Sequence, residues 1–247
     1  MSGWARDDSS IRHNTGVVSS PDWLGRYRRG QRAQVWHELR QLGSTIRESG
    51  LCREAQLVCD EMARRARQNV EVIIERLSDE GYRFHRNDDA ETPATPFVPA
   101  TAAAGEQAGW LEERFGPLPM TLVSWVRLVG DVWLVGTHPQ WAASASADPL
   151  VIELKGLPFG SAAIRRYFEK THRAWREWGA RAPQAKPFVL PLAPDMLHKQ
   201  NGSGGPPYGI VLPDGCVDGL FAGETTMPFV SYLNWVFGNG GFPWPTG

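Results

Sequence analysis

The chain has 247 residues, is 42% hydrophobic and 21% charged, and carries a formal net charge of −1. A chain of this length buries roughly 70–75% of its unfolded surface, so it needs neither a disulfide nor a structural metal. Near-neutral charge excludes a global field that would draw nucleic acid or a membrane, and no stretch approaches the ~20 apolar residues of a membrane-spanning helix.

Residues 1 to about 22 are polar, and with the arginine-rich stretch behind them they predict a mobile arm over 1–29. The start, MSGWARDDSSIRHNTG, has no apolar run of the secretory type, so a cytoplasmic location is expected. Arg26, Arg28, Arg29 and Arg32 crowd the segment RYRRGQR just before the first helical pattern. Cations at a helix N-terminus oppose its dipole, so they require acidic partners. Glu54, Asp60, Glu61, Glu71 and Glu75 of the next helix are the expected ones. Nucleic-acid binding through Arg26–Arg32 is the second alternative function, but it wants a clearer basic excess and interleaved aromatics.

Residues 30–86 predict an antiparallel helical hairpin. Ala33, Trp36, Leu39, Leu42 and Ile46 step by three and four, and Gly50 breaks the pattern. A stronger stripe follows in Leu51, Ala55, Val58, Cys59, Met62, Ala66, Val70, Ile73, Ile74 and Leu77, ended by Gly81. If that stripe stays unpaired, the hairpin becomes a homodimerisation element. Cys52 and Cys59 lie about 10 Å apart along such a helix at 1.5 Å per residue, too far to bridge. No cysteine or histidine spacing matches a zinc site, so no metal is expected.

Residues 87–109, beginning NDDAETPATPFVPATAAAGEQA, carry three prolines and predict a linker. The remaining 110–247 predicts an α+β domain, a small mostly antiparallel sheet flanked by helices. VWLVGT (132–137), LVIEL (150–154), FVLPL (188–192) and YGIVLP (208–213) read as strands. Ile164, Tyr167, Phe168, Trp175 and Trp178 recur at helical spacing, and PFVSYLNWVF predicts a last helix over 228–237. Most tryptophans fall in apolar patterns and are expected in the core. Trp110, Trp141 and Trp244 are expected in loops or at the terminus, where tryptophan suits a binding hot spot.

The chemistry-bearing residues gather in two places. His138 and Trp141 lie in GTHPQW after a strand. Asp195, His198, Lys199, Asn201 and Tyr208 lie in DMLHKQNGSGGPPYGIVLPD. The glycines there follow the lysine and run into a double proline and a strand, so this is no phosphate loop. Asp195 reads as the N-cap of one helical turn, and Asn201 suits a reversal at positive φ. Asp131 and Asp148 are candidate acidic partners. No G-x-S-x-G context exists, and no nucleophile, base and orienter assemble from the spacing. No catalytic residue and no cofactor are therefore expected. The first alternative is a small hydrolase or transferase using His138, Asp195, His198 and Lys199, which requires those side chains to converge.

FGPLPMTLVSWVRLVGDVWLVG (115–136) and MPFVSYLNWVFGNGGFPW (227–244) resemble the opening and closing segments of the SUKH superfamily. The shared features are a Leu-Pro pair, a short helix, a glycine and the first strand, then a closing helix with a glycine-rich stop. Gly130-Asp131 stands where the family often has Asn-Gly. The resemblance covers roughly residues 110–244. It implies a non-enzymatic protein-binding module whose partner is a toxin or a regulatory target, an immunity protein being the toxin-directed form. The family brings no catalytic residues.

Overall fold

The computed structural model describes residues 21–243 apart from 49, 142, 155–160 and 182–185. Most of the expected arm, and Trp244, lie outside these. The first helix, α1 (Trp23–Arg28), begins where the arm was expected to continue to Arg29. The correction has a simple cause: Trp23 and Tyr27 are 4% exposed and bury two large rings. Tyr27 meets Trp36 edge-on at 6.1 Å, on helix α2 (Arg32–Gln41).

A single-turn 3₁₀ segment, Gly43–Arg47, separates α2 from the 28-residue α3 (Cys52–Asp79). The expected hairpin pairing of these two helices is not the main contact. The stripe of α3, with Ala55, Val58, Cys59, Met62, Ala66, Val70 and Ile73 buried, packs chiefly on α1 and on a helix from the C-terminal part. The stripe is therefore covered within the chain and is not the unpaired stripe on which the homodimer expectation was conditioned.

Residues 87–109 are not a spacer. β1 (Arg83–Phe84) leads into a turn in which Asp88 Oδ1 accepts the Thr92 N–H at 2.9 Å. Then come β2 (Phe97–Pro99) and α4 (Ala104–Phe115). Three prolines suggested irregular chain, but β2 is an edge strand, where a missing donor is tolerated.

Helix α5 (Met120–Leu128) is the C-terminal partner of α3. A polar latch sits between them. Gln56 Nε2 donates to Ser124 Oγ at 2.7 Å, and Ser124 Oγ donates to Asp60 Oδ1 at 2.7 Å. After α5 the chain turns at Gly130, φ 113°, into β3 (Gly130–Trp133). A Cβ there would lie 2.2 Å from the Val98 carbonyl oxygen, so only glycine lets β2 and β3 meet.

The described strands all pair antiparallel. β1 pairs with β4 (Gly136–Thr137), and β3 lies between β2 and β5 (Val151–Ile152). β6 (Phe188–Ala193), β7 (Tyr208–Leu212), β8 (Leu220–Ala222) and β9 (Thr226–Pro228) form a meander. The Glu153 N–H donates to Leu192 O at 2.8 Å, so the end of β5 adjoins β6. Helix α6 (Ser161–Gly179) packs against β6, with Phe168 fully buried. One turn, α7 (Met196–Lys199), follows β6, and α8 (Phe229–Gly238) is the last described helix. The α+β class is as expected.

One contiguous cluster of buried side chains runs from Trp23 to Val236, crossing the boundaries expected at 30, 87 and 110. Arg40 of α2 ties the two parts at the surface of that core. Its guanidinium donates twice to Asp218 Oδ2, at 2.9 and 2.6 Å, while Asp218 Oδ1 accepts the Val230 N–H at the start of α8. Among the described residues no helix is long and apolar enough to cross a membrane.

Candidate functional site

The stretch from Asp195 to Tyr208 is a doubly capped turn. Asp195 Oδ1 accepts the His198 N–H at 2.9 Å, the N-cap bond of α7. At the other end Asn201 takes φ 61°. Its N–H bonds His198 O at 3.1 Å, and the Gly202 N–H bonds Leu197 O at 2.8 Å, the paired bonds of a Schellman cap. Gly204 then passes so close that a Cβ would sit 2.1 Å from Asp195 Oδ1. The glycines serve the backbone, as the sequence suggests.

The side chains of this turn point to different places. His198 is half-exposed, and its Nδ1 lies 2.9 Å from Asp195 Oδ2. Burial works to raise the Asp195 carboxyl, but the His198 N–H and ring hold it below the ordinary aspartate range. Lys199 turns inward and is 2% exposed. Its Nζ donates to Asp148 Oδ1 at 2.7 Å and lies 5.0 Å from the Tyr208 ring centre. Asp148 is thus a partner of the lysine and of neither histidine. Tyr208 Oη donates to Glu224 Oε1 at 2.9 Å and accepts the Met196 N–H at 3.2 Å. Asn201 Nδ2 reaches Asp89 Oδ1 at 2.5 Å.

His138 lies elsewhere. Its Nδ1 accepts the Gln140 N–H at 3.1 Å, which places the proton on Nε2 for donation to Glu80 O at 2.8 Å. Trp141 packs edge-on to Phe242 at 5.2 Å. His138 and Trp141 border a separate cavity of about 430 Å³ together with Glu80 and Phe242. The four residues of the enzymatic alternative therefore do not converge. His138 has both ring nitrogens engaged, and Lys199 is sealed behind Tyr208.

Three of the four arginines of the RYRRGQR segment, Arg26, Arg28 and Arg29, are paired internally. Arg26 forms a two-pronged contact with Glu38 at 2.6 and 2.7 Å, Arg28 reaches Glu61 at 3.1 Å, and Arg29 reaches Asp22 at 2.8 Å. Only Glu61 belongs to the acidic set expected on the next helix. Glu38 sits one helix earlier, and its carboxyl is held down to about 2 by Arg26, Gln34 and Trp23.

A larger feature was not anticipated. Two open cavities, about 770 and 440 Å³, share Asn87, Glu153, Ile164, Tyr167 and Pro194 and so form one groove. Its walls are α6, the 86–95 loop and the end of β6, and His198 stands at its margin. Glu153 is set into the floor beside Arg86, whose Nη1 is 3.7 Å away and whose guanidinium stacks over Trp133 at 5.0 Å. Burial pushes the Glu153 carboxyl up to about 7 despite Arg86. The signal in the sequence was a lone glutamate inside the apolar run LVIEL. Trp178, expected in the core, is 55% exposed on α6, and Tyr167 of the same helical pattern is 44% exposed. Trp110 is on helix α4 and not in a loop.

Cys52, Cys59 and Cys216 are free thiols, and burial pushes the Cys59 and Cys216 thiols up and away from reactivity. Among the described residues no group of three or more histidine, cysteine or acidic side chains is placed to hold a metal. Comparison with protein-family models, with curated proteins and with solved structures finds no match to this chain.

Proposed function

We propose that the protein is a cytoplasmic, non-enzymatic protein-binding module, and that the groove between α6 and the 86–95 loop is its recognition surface. The observation that carries this reading is the groove itself. It is open, it mixes an exposed tyrosine and the apolar Val98, Trp133, Ala163 and Ile164 with polar loop residues, and it holds the buried carboxyl of Glu153 beside Arg86. Tyrosine-bearing apolar surfaces of this kind concentrate binding energy. The dispersal of His138, His198 and Lys199 to separate surroundings supports binding over catalysis. The SUKH resemblance supplies the specific form, a partner that is a toxin neutralised by docking or a regulatory target.

The test is recovery of the partner by a tagged chain from its own cells, with wild type beside Tyr167→Asp. Recovery by wild type and loss by Tyr167→Asp, with unchanged thermal unfolding, is the expected result. Equal recovery by both chains contradicts the assignment of the groove. Turnover of any substrate that is abolished by His198→Ala would restore the enzymatic reading.

A further inference from the structure

A second cavity adjoins the groove across Gly205 and Pro207, which line both. It measures about 460 Å³, within the ~300–1,000 Å³ that small-ligand sites occupy. Trp175, Phe188 and Tyr208 supply aromatic walls, and Val189, Met196 and Leu197 are among the apolar residues that line the rest. Two carboxylates, Asp195 and Glu224, border it; among the described residues no lysine, arginine or histidine lines it, and His172 stacks on Trp175 at 5.4 Å.

The two acids differ. Asp195 is committed to His198 and to the cap of α7. Glu224 is exposed on the β8–β9 turn and accepts the Tyr208 hydroxyl through one oxygen. Among the described residues no cation lies within 4.0 Å of it. Behind Tyr208, Gly223 and Glu224 lies a small inner cavity of about 20 Å³, bordered also by Asp148 and Tyr232. Tyr232 is 5% exposed, and its hydroxyl is buried without a hydrogen-bond partner. The Asp148 carboxylate on the border of this inner cavity already holds Lys199 Nζ at 2.7 Å. Both chambers thus offer acceptors and aromatic faces, and among the described residues the outer one is lined by no cationic side chain.

We infer that this cavity receives a basic side chain, arginine by preference, from the partner protein that lies in the groove. A guanidinium suits it because a planar cation can lie on the face of Trp175 that His172 leaves uncovered while its N–H groups meet the Glu224 carboxylate. The apolar stem would lie along Leu197 and Pro206, as long basic side chains do on apolar surface. This rests on the groove being a protein-docking surface, and it names the partner's chemistry there: a basic residue a short reach from the segment that covers Tyr167.

The experiment uses Nα-acetyl-arginine amide as the probe and Nα-acetyl-citrulline amide as its neutral match. The full chain carries 5-fluorotryptophan, and the Trp175 resonance is identified by its loss in Trp175→Phe. The arginine probe should shift Trp175 saturably, about tenfold more tightly than citrulline. Glu224→Gln should weaken the arginine response severalfold, and Tyr167→Asp should leave it unchanged. Equal response to citrulline, no saturable response, or an unchanged response in Glu224→Gln overturns the inference. Loss of the partner by Tyr167→Asp together with any of those results keeps the groove and discards only the basic side chain. A retained arginine response with partner recovery insensitive to Tyr167→Asp does the reverse, removing the groove and leaving a cation site without its proposed source.

Discussion

Lys199 Nζ and Asp148 Oδ1 are 2.7 Å apart, and both residues are buried, at 2% and 4% exposure. Burial lowers the lysine and raises the aspartate, while the charge of each works to keep the other ionised. Removing one partner from such a pair strands a charge in the interior, which costs about 3–5 kcal/mol. Lys199→Met should lose stability on that scale in urea denaturation. Lys199→Met with Asp148→Asn should recover most of it, since asparagine tolerates the φ of 52° at position 148. If the double variant is no more stable than the single, the pair is not the reason the lysine is buried.

Arg40 and Asp218 make the corresponding tie between the N-terminal helices and α8. The Asp218 side chain is fully buried and its carboxyl is raised by that burial against the pull of Arg40. Arg40→Leu leaves the carboxyl without its cation, so its folded-state pKa rises further above the unfolded value. The variant then binds protons in the folded state that the unfolded chain releases. Its stability should fall as pH rises through that value, the loss approaching about 3–5 kcal/mol above neutrality. Urea curves at pH 5 and pH 8 check this, and a loss independent of pH would assign the effect to packing alone.

Glu153 predicts a pH dependence of its own. Its carboxyl is raised from 4.5 to about 7 by burial in the groove floor. A raised carboxyl contributes stability that is present below the unfolded pKa and lost as pH rises through the folded one. Glu153→Gln should therefore match wild type near pH 4 and exceed it by about 1–3 kcal/mol at pH 8. Thermal or urea unfolding across that window decides it. A variant less stable than wild type at pH 8 would mean that the ion pair with Arg86 outweighs the burial.

Gly204 and Asp195 should fail to add. Gly204→Ala drives a Cβ to within 2.1 Å of Asp195 Oδ1, and Asp195→Ala removes the cap of α7 at a cost of about 1 kcal/mol. In the Asp195→Ala background the alanine at 204 has room, so its penalty should shrink. A double-mutant cycle reads the coupling. Strict additivity would show that the clash, and not the cap, is absorbed by loop movement.

Much of this local structure was legible from residue types. Asp195 as a cap, Asn201 at positive φ and four of the strands follow from short-range chemistry that the chain settles within a few residues. Long-range packing was not legible. The stripe of α3 predicts that something covers it, but nothing in its spacing says that α5 does so in place of α2. The prolines at 93, 96 and 99 suggested a linker because an edge strand and a loop share the tolerance for a missing N–H. Lys199 was conspicuous for being polar beside a histidine, yet its partner is 51 residues away. The groove was invisible for the same reason, since Asn87, Glu153, Tyr167 and Pro194 meet only in the fold.

The account centres on the groove between α6 and the 86–95 loop as the docking surface. Amide hydrogen exchange of the chain, free and with its recovered partner, tests that most directly. The account predicts slowed exchange over 86–95, the first two turns of α6 and the 191–207 turn, with 138–141 unchanged. Slowed exchange confined to 138–141 and α8, or to none of these segments, would contradict it.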